Sequence, residues 1–263
     1  MRLFDRGRSG VTPTAAGKMF IRRAEQLLLF VRGIEHDMSL LRGGLAGSVS
    51  FGIGPLPAAC FLKDLLHHLV TRHPDLEVHL EVCKGNELLD RLMSERLEFV
   101  VAAENYLLDS PLLIIRPLVK LRLNIFGRRD HPLTANKPLK NSDIDHYPLL
   151  AAGMRAESSS ARNAVLGVKK TSQQSGVVCS DDFSSLKEVA LNSNALLLAP
   201  YAAVANECIE GTLVQLLALD RPKFKVNFVI ASLADRMLSP LAELIIKRTL
   251  ELAAQVDGNS ATV

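Results

Sequence analysis

The feature that most restricts the fold is a regular alternation of strand and helix patterns after residue 47. Residues 76–82 (LEVHLEV) alternate strictly between apolar and polar, which is typical of a half-buried strand. The rest of this first unit is predicted as strands at 48–53 and 99–103 and helices at 58–72 and 87–95. Because each helix separates two strands, the spacing predicts a parallel α/β sheet.

A second unit of the same kind follows. Its strands are predicted at 121–127, 148–152, 176–179, 195–199 and 226–232, and its helices at 142–146, 158–167, 183–192 and 239–254. Residues 257–263 are predicted to form a disordered polar tail. A chain of 263 residues has ample core for one or two such units.

Before the sheet, residues 14–45 are predicted to form one long helix, followed by a hinge at Gly43, Gly44 and Gly47. Apolar residues recur along it in steps of four and three, a heptad seam that needs a packing partner. The seam consists of Phe20, Ala24, Leu27, Val31, Ile34, Met38, Leu41 and Leu45. We expect a homo-oligomer, a dimer or tetramer, joined by this seam; packing on the chain's own body is the alternative.

The first seventeen residues form a basic turn that leads into this helix. Thr12 is predicted as the helix cap and Pro13 as the first helical residue. Residues 1–46 carry eight basic and four acidic residues, so the net charge of +3 is concentrated there. A basic head on a nearly neutral body favours contact with nucleic-acid phosphates, although a solvated helix face has the same composition.

The run Leu3-Phe4-Asp5-Arg6, followed by Val11-Thr12-Pro13-Thr14-Ala15-Ala16-Gly17, resembles the "LF-x-R … LT-x-(x)-AG" run of LysR-type transcriptional regulators. In that family the run is the wing and the start of the linker helix, and a helix-turn-helix precedes it. The resemblance therefore implies a shortened reading frame, a misassigned start or a genuine remnant. It implies DNA contacts by Arg2, Arg6, Arg8 and Thr12, weak or non-specific in the absence of a base-reading helix.

The resemblance also implies the organisation of the body. The family's effector-binding region resembles a periplasmic binding protein, with two α/β lobes joined by two crossing segments. On this basis residues 1–13 are the wing, 14–46 the linker helix and 47–256 the effector-binding domain. The first lobe is expected at 48–123 plus 229–252, and the second at 124–225.

Loops at the strand ends line the cleft between the lobes in that family, so the resemblance places a small-molecule effector there. The implied site residues are Pro55, Leu56, Pro57, Gly85, Asn86, Ala103, Glu104, Gly153, Met154, Ser158 and Pro200. The run 55–57 stands where many relatives offer a hydroxyl group, which indicates a less polar pocket. Ser158 is equally well explained as a helix cap. Asp181-Asp182 is predicted to cap the helix that starts at Phe183.

Two short runs depart from the family pattern. Arg96-Leu97-Glu98 stands where the family often has Gly-x-Leu-Asp, and Asn192-Ser193-Asn194 stands in place of Gly-x-Gly. Asparagine tolerates left-handed backbone better than most residues, so we expect the second turn to survive.

Other chemistries lack sequence support. Cys60, Cys83, Cys179 and Cys208 show no C-x-x-C spacing, so they are interpreted as buried thiols rather than a metal or redox site. Gly52-x-Gly54-x-x-Pro57 lacks the third glycine of a dinucleotide fingerprint, and no catalytic motif is found, so no cofactor and no enzyme are expected. With no apolar run near ~20 residues, no membrane contact and a cytoplasmic location are expected.

Two functions therefore compete. The first is a LysR-type regulator that senses a small metabolite. The alternative is a solute-binding protein of the same fold, or a partner that pairs with an intact regulator and prevents it from reading DNA.

Overall fold

The computed structural model describes residues 2–7, 10–21, 23, 24, 27, 31, 48–107, 110–135, 139–152, 176–217 and 224–259. Several predicted features lie outside these residues. They are Arg8, the seam residues Ile34, Met38, Leu41 and Leu45, the glycine hinge, the helix at 158–167, and the site residues Gly153, Met154 and Ser158.

The chain opens with a hairpin in which β1 (Phe4–Gly7) pairs antiparallel with β2 (Gly10–Pro13). The prediction of Thr12 as cap and Pro13 as first helical residue is wrong, because both residues belong to β2. The ladder extends one residue further, where the N–H of Thr14 donates to Leu3 O at 3.0 Å. Thr14 is the actual cap: its Oγ1 accepts from the N–H of Gly17 at 3.0 Å, and residues 15–21 are helical.

Nine of the described strands form one mixed sheet. They are β3 (Ser48–Ile53), β4 (Glu77–Val82), β5 (Phe99–Ala103), β6 (Leu113–Arg128), β7 (Leu149–Ala152), β8 (Val177–Ser180), β9 (Leu196–Pro200), β10 (Leu213–Leu216) and β11 (Lys225–Leu233). The order is β4-β3-β5-β11-β6-β9-β7-β8, with β10 paired to β6. As predicted, β3 runs parallel to β4 and β5, and β7 runs parallel to β8 and β9.

Helices cover both faces of the sheet. They are α1 (Lys63–Arg72), α2 (Gly85–Met93), α3 (Asn141–Ile144), α4 (Phe183–Asn192), α5 (Ala205–Ile209) and α6 (Pro240–Asn259). A helical turn at Pro55–Pro57 and a π-helical stretch at Ala58–Leu62 precede α1. Tighter 3₁₀ turns occupy Glu104–Tyr106, Pro132–Thr134 and Tyr201–Val204.

The core is divided into four apolar clusters, two for each half of the sheet. In the first half, Phe51, Phe99 and Phe228 pack under α1 and α6, while Val100 and Val229 pack under α2 on the opposite face. In the second half, one cluster is built on Phe126 and α4, and the other on Ile125 and α3. We call these halves the first and second lobes; β6 and β11 connect them. This is a periplasmic-binding-protein-like α/β fold.

Several element boundaries differ from the predictions. Strand β6 begins at Leu113 rather than at residue 121, and β10 and α5 were not predicted. Arg116 and Pro117 interrupt the apolar pattern of β6, so only its pairing with β11 reveals its first half as a strand. The last helix continues through Asn259, so the disordered tail predicted from residue 257 is wrong for its first three residues.

The two departures from the family pattern are resolved differently. At the end of α2, Glu95 adopts φ +59°, a left-handed conformation that favours glycine. At the end of α4, Ser193 is extended and neither asparagine is left-handed, so the turn is kept without the conformation that we expected of them.

Candidate functional site

The carboxyl ends of β4 and β8, one in each lobe, lie close to each other, and the region between the two sets of strand ends is called the cleft below. Lys84 follows β4 and Asp181 follows β8, and Lys84 Nζ lies 3.5 Å from Asp181 Oδ2. Because β4 and β8 are the outermost strands of the sheet order, this ion pair joins the lobes far from the crossing strands. Ligands of open α/β sheets bind at such carboxyl ends.

The middle of the cleft is closed by the segment that follows β3. Gly54 N–H donates to Val101 O at 2.8 Å, which ties the start of this segment to the sheet. Leu56 and Cys60 pack against apolar clusters of both lobes, and Ala58–Leu62 contacts Tyr201–Val204. Among the predicted site residues, Pro55 and Pro57 are buried and Leu56 is half-buried, so this wall is apolar.

A second wall is formed by the start of α2. Gly85 is buried against Tyr106: a Cβ atom at residue 85 would lie 2.3 Å from the tyrosine ring. Any larger residue would push the ring away, so glycine permits this close approach. The neighbouring Asn86 is exposed in the first turn of α2. This contact holds the 3₁₀ turn Glu104–Tyr106, which directly follows β5, against the start of α2.

The crossing strands form the floor of the cleft. Asn227 of β11 donates from Nδ2 to Glu104 Oε2 at 2.7 Å, next to the pair Ala103–Phe228. On its other side, Asn227 lies opposite Lys120 of β6. Sequence reasoning found Ala103 and Glu104 but missed Asn227. A polar residue within the apolar run VNFVIAS was the one available signal.

On the side of the second lobe, Pro200 ends β9 and is buried. It lies opposite Leu123 of β6, and the 3₁₀ turn Tyr201–Val204 follows it directly. Near Asp181, Asp182 caps α4 as predicted, because its Oδ1 accepts from the N–H of Ser185 at 3.1 Å. Hydrogen bonds from Ser185 also lower the pKa of the Asp182 carboxyl.

The cysteine environments oppose thiolate formation. Burial raises the pKa of Cys83, against the opposing charge of Arg91, and burial with the Asp181 carboxylate raises the pKa of Cys179, against the opposing charge of Lys84. Burial also raises the pKa of Cys60, and burial with Glu207 raises that of Cys208 to about 11. These thiols are protonated at neutral pH and therefore weak nucleophiles.

The amino-terminal segment presents a second surface. Arg2 and Thr12 are exposed around the hairpin. A Cβ atom on Gly17 would lie 1.9 Å from Leu3 O, so glycine is required where the helix meets the hairpin. In the helix that follows, the described seam residues Phe20, Leu27 and Val31 are each about half exposed or more, whereas Ala24 is half-buried.

The described ranges hold neither a metal cluster nor a membrane-spanning helix. No cluster of three or more His, Cys, Asp or Glu side chains in them has an arrangement able to hold a metal ion. No helix in them has the length and apolar character needed to cross a membrane.

Comparison with known proteins identifies the family. The family described as LysR substrate binding domain matches residues 42–254. The SDS degradation transcriptional activation protein of a Pseudomonas species is 32% identical over 263 residues, 99% of this chain and 85% of that protein. The chain therefore belongs to the LysR family of transcriptional regulators.

Other matches extend this result. The HTH-type transcriptional regulator YtlI of Bacillus subtilis is 28% identical over 54% of this chain and 45% of its own length. Full-length OxyR from Pseudomonas aeruginosa superposes with a TM-score of 0.62, at 20% identity over 95% of this chain and 79% of that one. CrgA, a LysR-type regulator from Neisseria meningitidis, gives 0.64 at 18% identity over 97% and 84%. These structures share the fold.

Proposed function

We propose that this protein is a cytoplasmic LysR-type regulator that senses a small molecule in the cleft between its lobes. The observation that carries the proposal is the meeting of the two sets of strand ends, joined by Lys84 and Asp181. A ligand bound there contacts both lobes at once and favours one relative arrangement of them. The amino-terminal hairpin contacts DNA and the helix that follows it contacts a partner chain, so a change in the arrangement of the lobes is transmitted through these two elements.

A thermal-shift screen with small metabolites tests effector binding. A bound compound at a hundred times its dissociation constant stabilises the fold by about 2.7 kcal/mol. Asn86, a predicted site residue, is exposed in the first turn of α2, so Asn86→Trp is expected to abolish the shift. Ala254→Trp on the exposed side of α6 is the matched control and should retain it. If both variants respond like the wild type, the effector binds elsewhere.

We also propose self-association through the seam of the linker helix. Phe20, Leu27 and Val31 are exposed at 56%, 66% and 49% in the single chain, and burying such side chains is the main drive for association. Leu27→Asp with Val31→Asp should convert the oligomer to monomer in sedimentation velocity. Ile209→Asp, at a residue 78% exposed on α5, is the control. An unchanged sedimentation coefficient for the double variant would contradict the seam.

For the 263-residue chain we propose weak DNA binding through phosphates, by Arg2, Arg6, Arg8 and Thr12. Such contacts position a protein without specifying a sequence, and their affinity falls steeply with salt. Each of Arg6→Ala and Arg8→Ala should lower the salt slope by about one. Binding is measured against promoter DNA and a scrambled duplex. A preference above about 1000-fold would show specific base reading by this chain.

A mixed dimer is the second consequence of this proposal. If the seam of the 263-residue chain also pairs with a relative, a mixed dimer replaces part of the relative's own dimer. Co-expression with such a relative should then reduce its promoter activity. The double seam variant Leu27→Asp, Val31→Asp should restore that activity.

A further inference from the structure

Three cations share one face of the two strands that connect the lobes. They are Lys120 and Arg122 of β6 and Lys225 of β11, and all three are exposed. Arg122 lies opposite Lys225, and Lys120 lies opposite Asn227. Because opposite residues and next-but-one residues of an antiparallel pair point to the same side, these four side chains share a face. We name the three charged residues the crossing cations.

The crossing cations lie at the level of the cleft. Next to them, Asn227 bonds Glu104, which follows the end of β5 in the first lobe. Leu123, the next residue after Arg122, lies opposite Pro200 at the end of β9 in the second lobe. The cations therefore stand between the two strand ends that face each other across the cleft.

Among the residues that the structure describes, no ion pair balances their charges. Like charges directly opposite each other on neighbouring strands destabilise the pair, and Arg122 and Lys225 are in that position. In the described part of the chain, no ion pair engages Lys120, Arg122 or Lys225. Glu104 is the one carboxylate shown beside this row, and it already accepts from Asn227. Three positive charges thus face one negative charge.

The same face carries an unsatisfied acceptor. Oδ1 of Asn227 is buried and has no hydrogen-bond partner within the ranges that the structure describes. Rotating the side-chain amide by half a turn would not solve this, because it would place Oδ1 against the Glu104 carboxylate and break the hydrogen bond from Nδ2. Buried acceptors are normally paired, so this oxygen can accept a hydrogen bond from a group outside the described residues.

We propose that the effector is a small organic acid, with its carboxylate held by the crossing cations and a hydroxyl or amino group donating to Oδ1 of Asn227. This inference rests on the proposed sensing function and names the ligand class for it. The carboxylate neutralises the repulsion between Arg122 and Lys225. Since these residues belong to β6 and β11, the ligand would act on the strands that set the relation between the lobes.

The first test uses no effector. At low ionic strength, Arg122→Gln and Lys225→Gln should each raise the melting temperature by about 1 °C, because each removes a like-charge contact. The gain should shrink at high salt, which screens exposed charges. Lys247→Gln, at an exposed lysine on α6, is the control and should leave the melting temperature unchanged. If the two crossing variants also leave it unchanged, the repulsion on which the site rests is absent.

The second test uses succinate and malate, which differ by one hydroxyl group, at constant ionic strength. Both should stabilise the wild type and the Lys247→Gln control, malate more than succinate. The double variant Lys120→Gln, Arg122→Gln should weaken both responses about tenfold. In Asn227→Leu, malate should lose its advantage over succinate. Equal responses of the wild type and the double variant would overturn the anion site, and equal binding of the two acids would overturn the Asn227 contact.

The metabolite screen separates this inference from the function on which it rests. A hit that is uncharged, is lost in Asn86→Trp and is unaffected by the crossing variants would overturn the anion site but support effector sensing. The absence of any hit that Asn86→Trp abolishes would overturn both.

Discussion

The two lobes share one fold but are stabilised differently. The first lobe is built on aromatic rings: Phe51 and Phe99 stack with centroids 5.0 Å apart, and Phe61 meets Phe228 edge-on at 6.3 Å. The second lobe relies mainly on leucine and alanine around Phe126, together with polar contacts in its interior. The comparison shows that the same fold can be stabilised mainly by burial of aromatic side chains in the first lobe and, in the second lobe, also by directional hydrogen bonds.

The polar part of the second lobe centres on His131, which is 1% exposed. Its Nδ1 accepts from the N–H of Leu133 at 3.1 Å, which leaves Nε2 to donate to Asn194 O at 3.1 Å. Tyr147 packs edge-on against the ring. On the other face of the sheet, Lys187 and Glu207 form an ion pair between α4 and α5. These contacts depend on protonation state, whereas the aromatic core does not.

The largest expected effect concerns the aromatic core of the first lobe. Phe99→Ala should lower the free energy of unfolding by about 3–5 kcal/mol. Its matched change is Phe126→Ala in the second lobe, where the ring is equally buried. We expect Phe99→Ala to cost more by about 0.5–1.5 kcal/mol, because it also removes the stack with Phe51. Urea titration of both variants measures the difference; equal losses would remove the distinction between the lobes.

The next effect concerns His131. Burial lowers its pKa below the ordinary 6.5, although the hydrogen bond to Asn194 opposes the shift. As the pH falls below about 6.5, the unfolded chain takes up a proton before the folded one does, so stability decreases until the folded imidazole is also protonated. His131→Phe should lower the stability at pH 8 by about 1–3 kcal/mol, because two backbone groups lose their partner.

The pH dependence provides the control for that prediction. In His131→Phe, the decrease in the free energy of unfolding that begins near pH 6.5 as the pH falls should disappear. His73→Phe, at a histidine outside the core, should show the same decrease as the wild type. Urea unfolding from pH 8 to pH 5 measures this. A His131→Phe profile parallel to the wild type would show that another group makes the lobe sensitive to acid.

A smaller effect distinguishes the turns that end α2 and α4. Glu95→Gly in the first lobe should raise the melting temperature, because it removes about 1 kcal/mol of left-handed strain. The change also removes an exposed ion pair with Arg236, which offsets little of the gain. Ser193→Gly in the second lobe replaces an extended residue and should lower the melting temperature. If both changes act alike, backbone strain does not distinguish the two turns.

The smallest effect concerns the ion pair that joins the lobes. Lys84 and Asp181 are 54% and 32% exposed, so Lys84→Ala should cost no more than about 1 kcal/mol. Its effect should instead appear in the distance between labels placed in the two lobes, which should increase at low salt. High salt should remove the difference from the wild type. An unchanged distance at low salt would mean that this pair does not hold the lobes together.

Local patterns were sufficient where an element's own residues determine it. The strand Phe99–Ala103 and the helix Phe183–Asn192 have the predicted boundaries, because an apolar run and a capped periodic segment are local signals. The first seventeen residues were sufficient to suggest the family, which the match over residues 42–254 confirms. The error at Thr12 arose from a ladder bond between Thr14 and Leu3, which no helix-capping rule anticipates.

Tertiary structure decided the contents of the cleft. Asn227 and Glu104 are 123 positions apart in sequence, and the ion pair between Lys84 and Asp181 joins segments that are almost as distant. Strand periodicity predicts which residues alternate, but it does not predict which strands become neighbours or in which register. The crossing cations therefore come together only when β6 and β11 pair, in the register that places Arg122 opposite Lys225. The energy of that pairing depends on contacts between distant segments, so it leaves no signal in the local sequence.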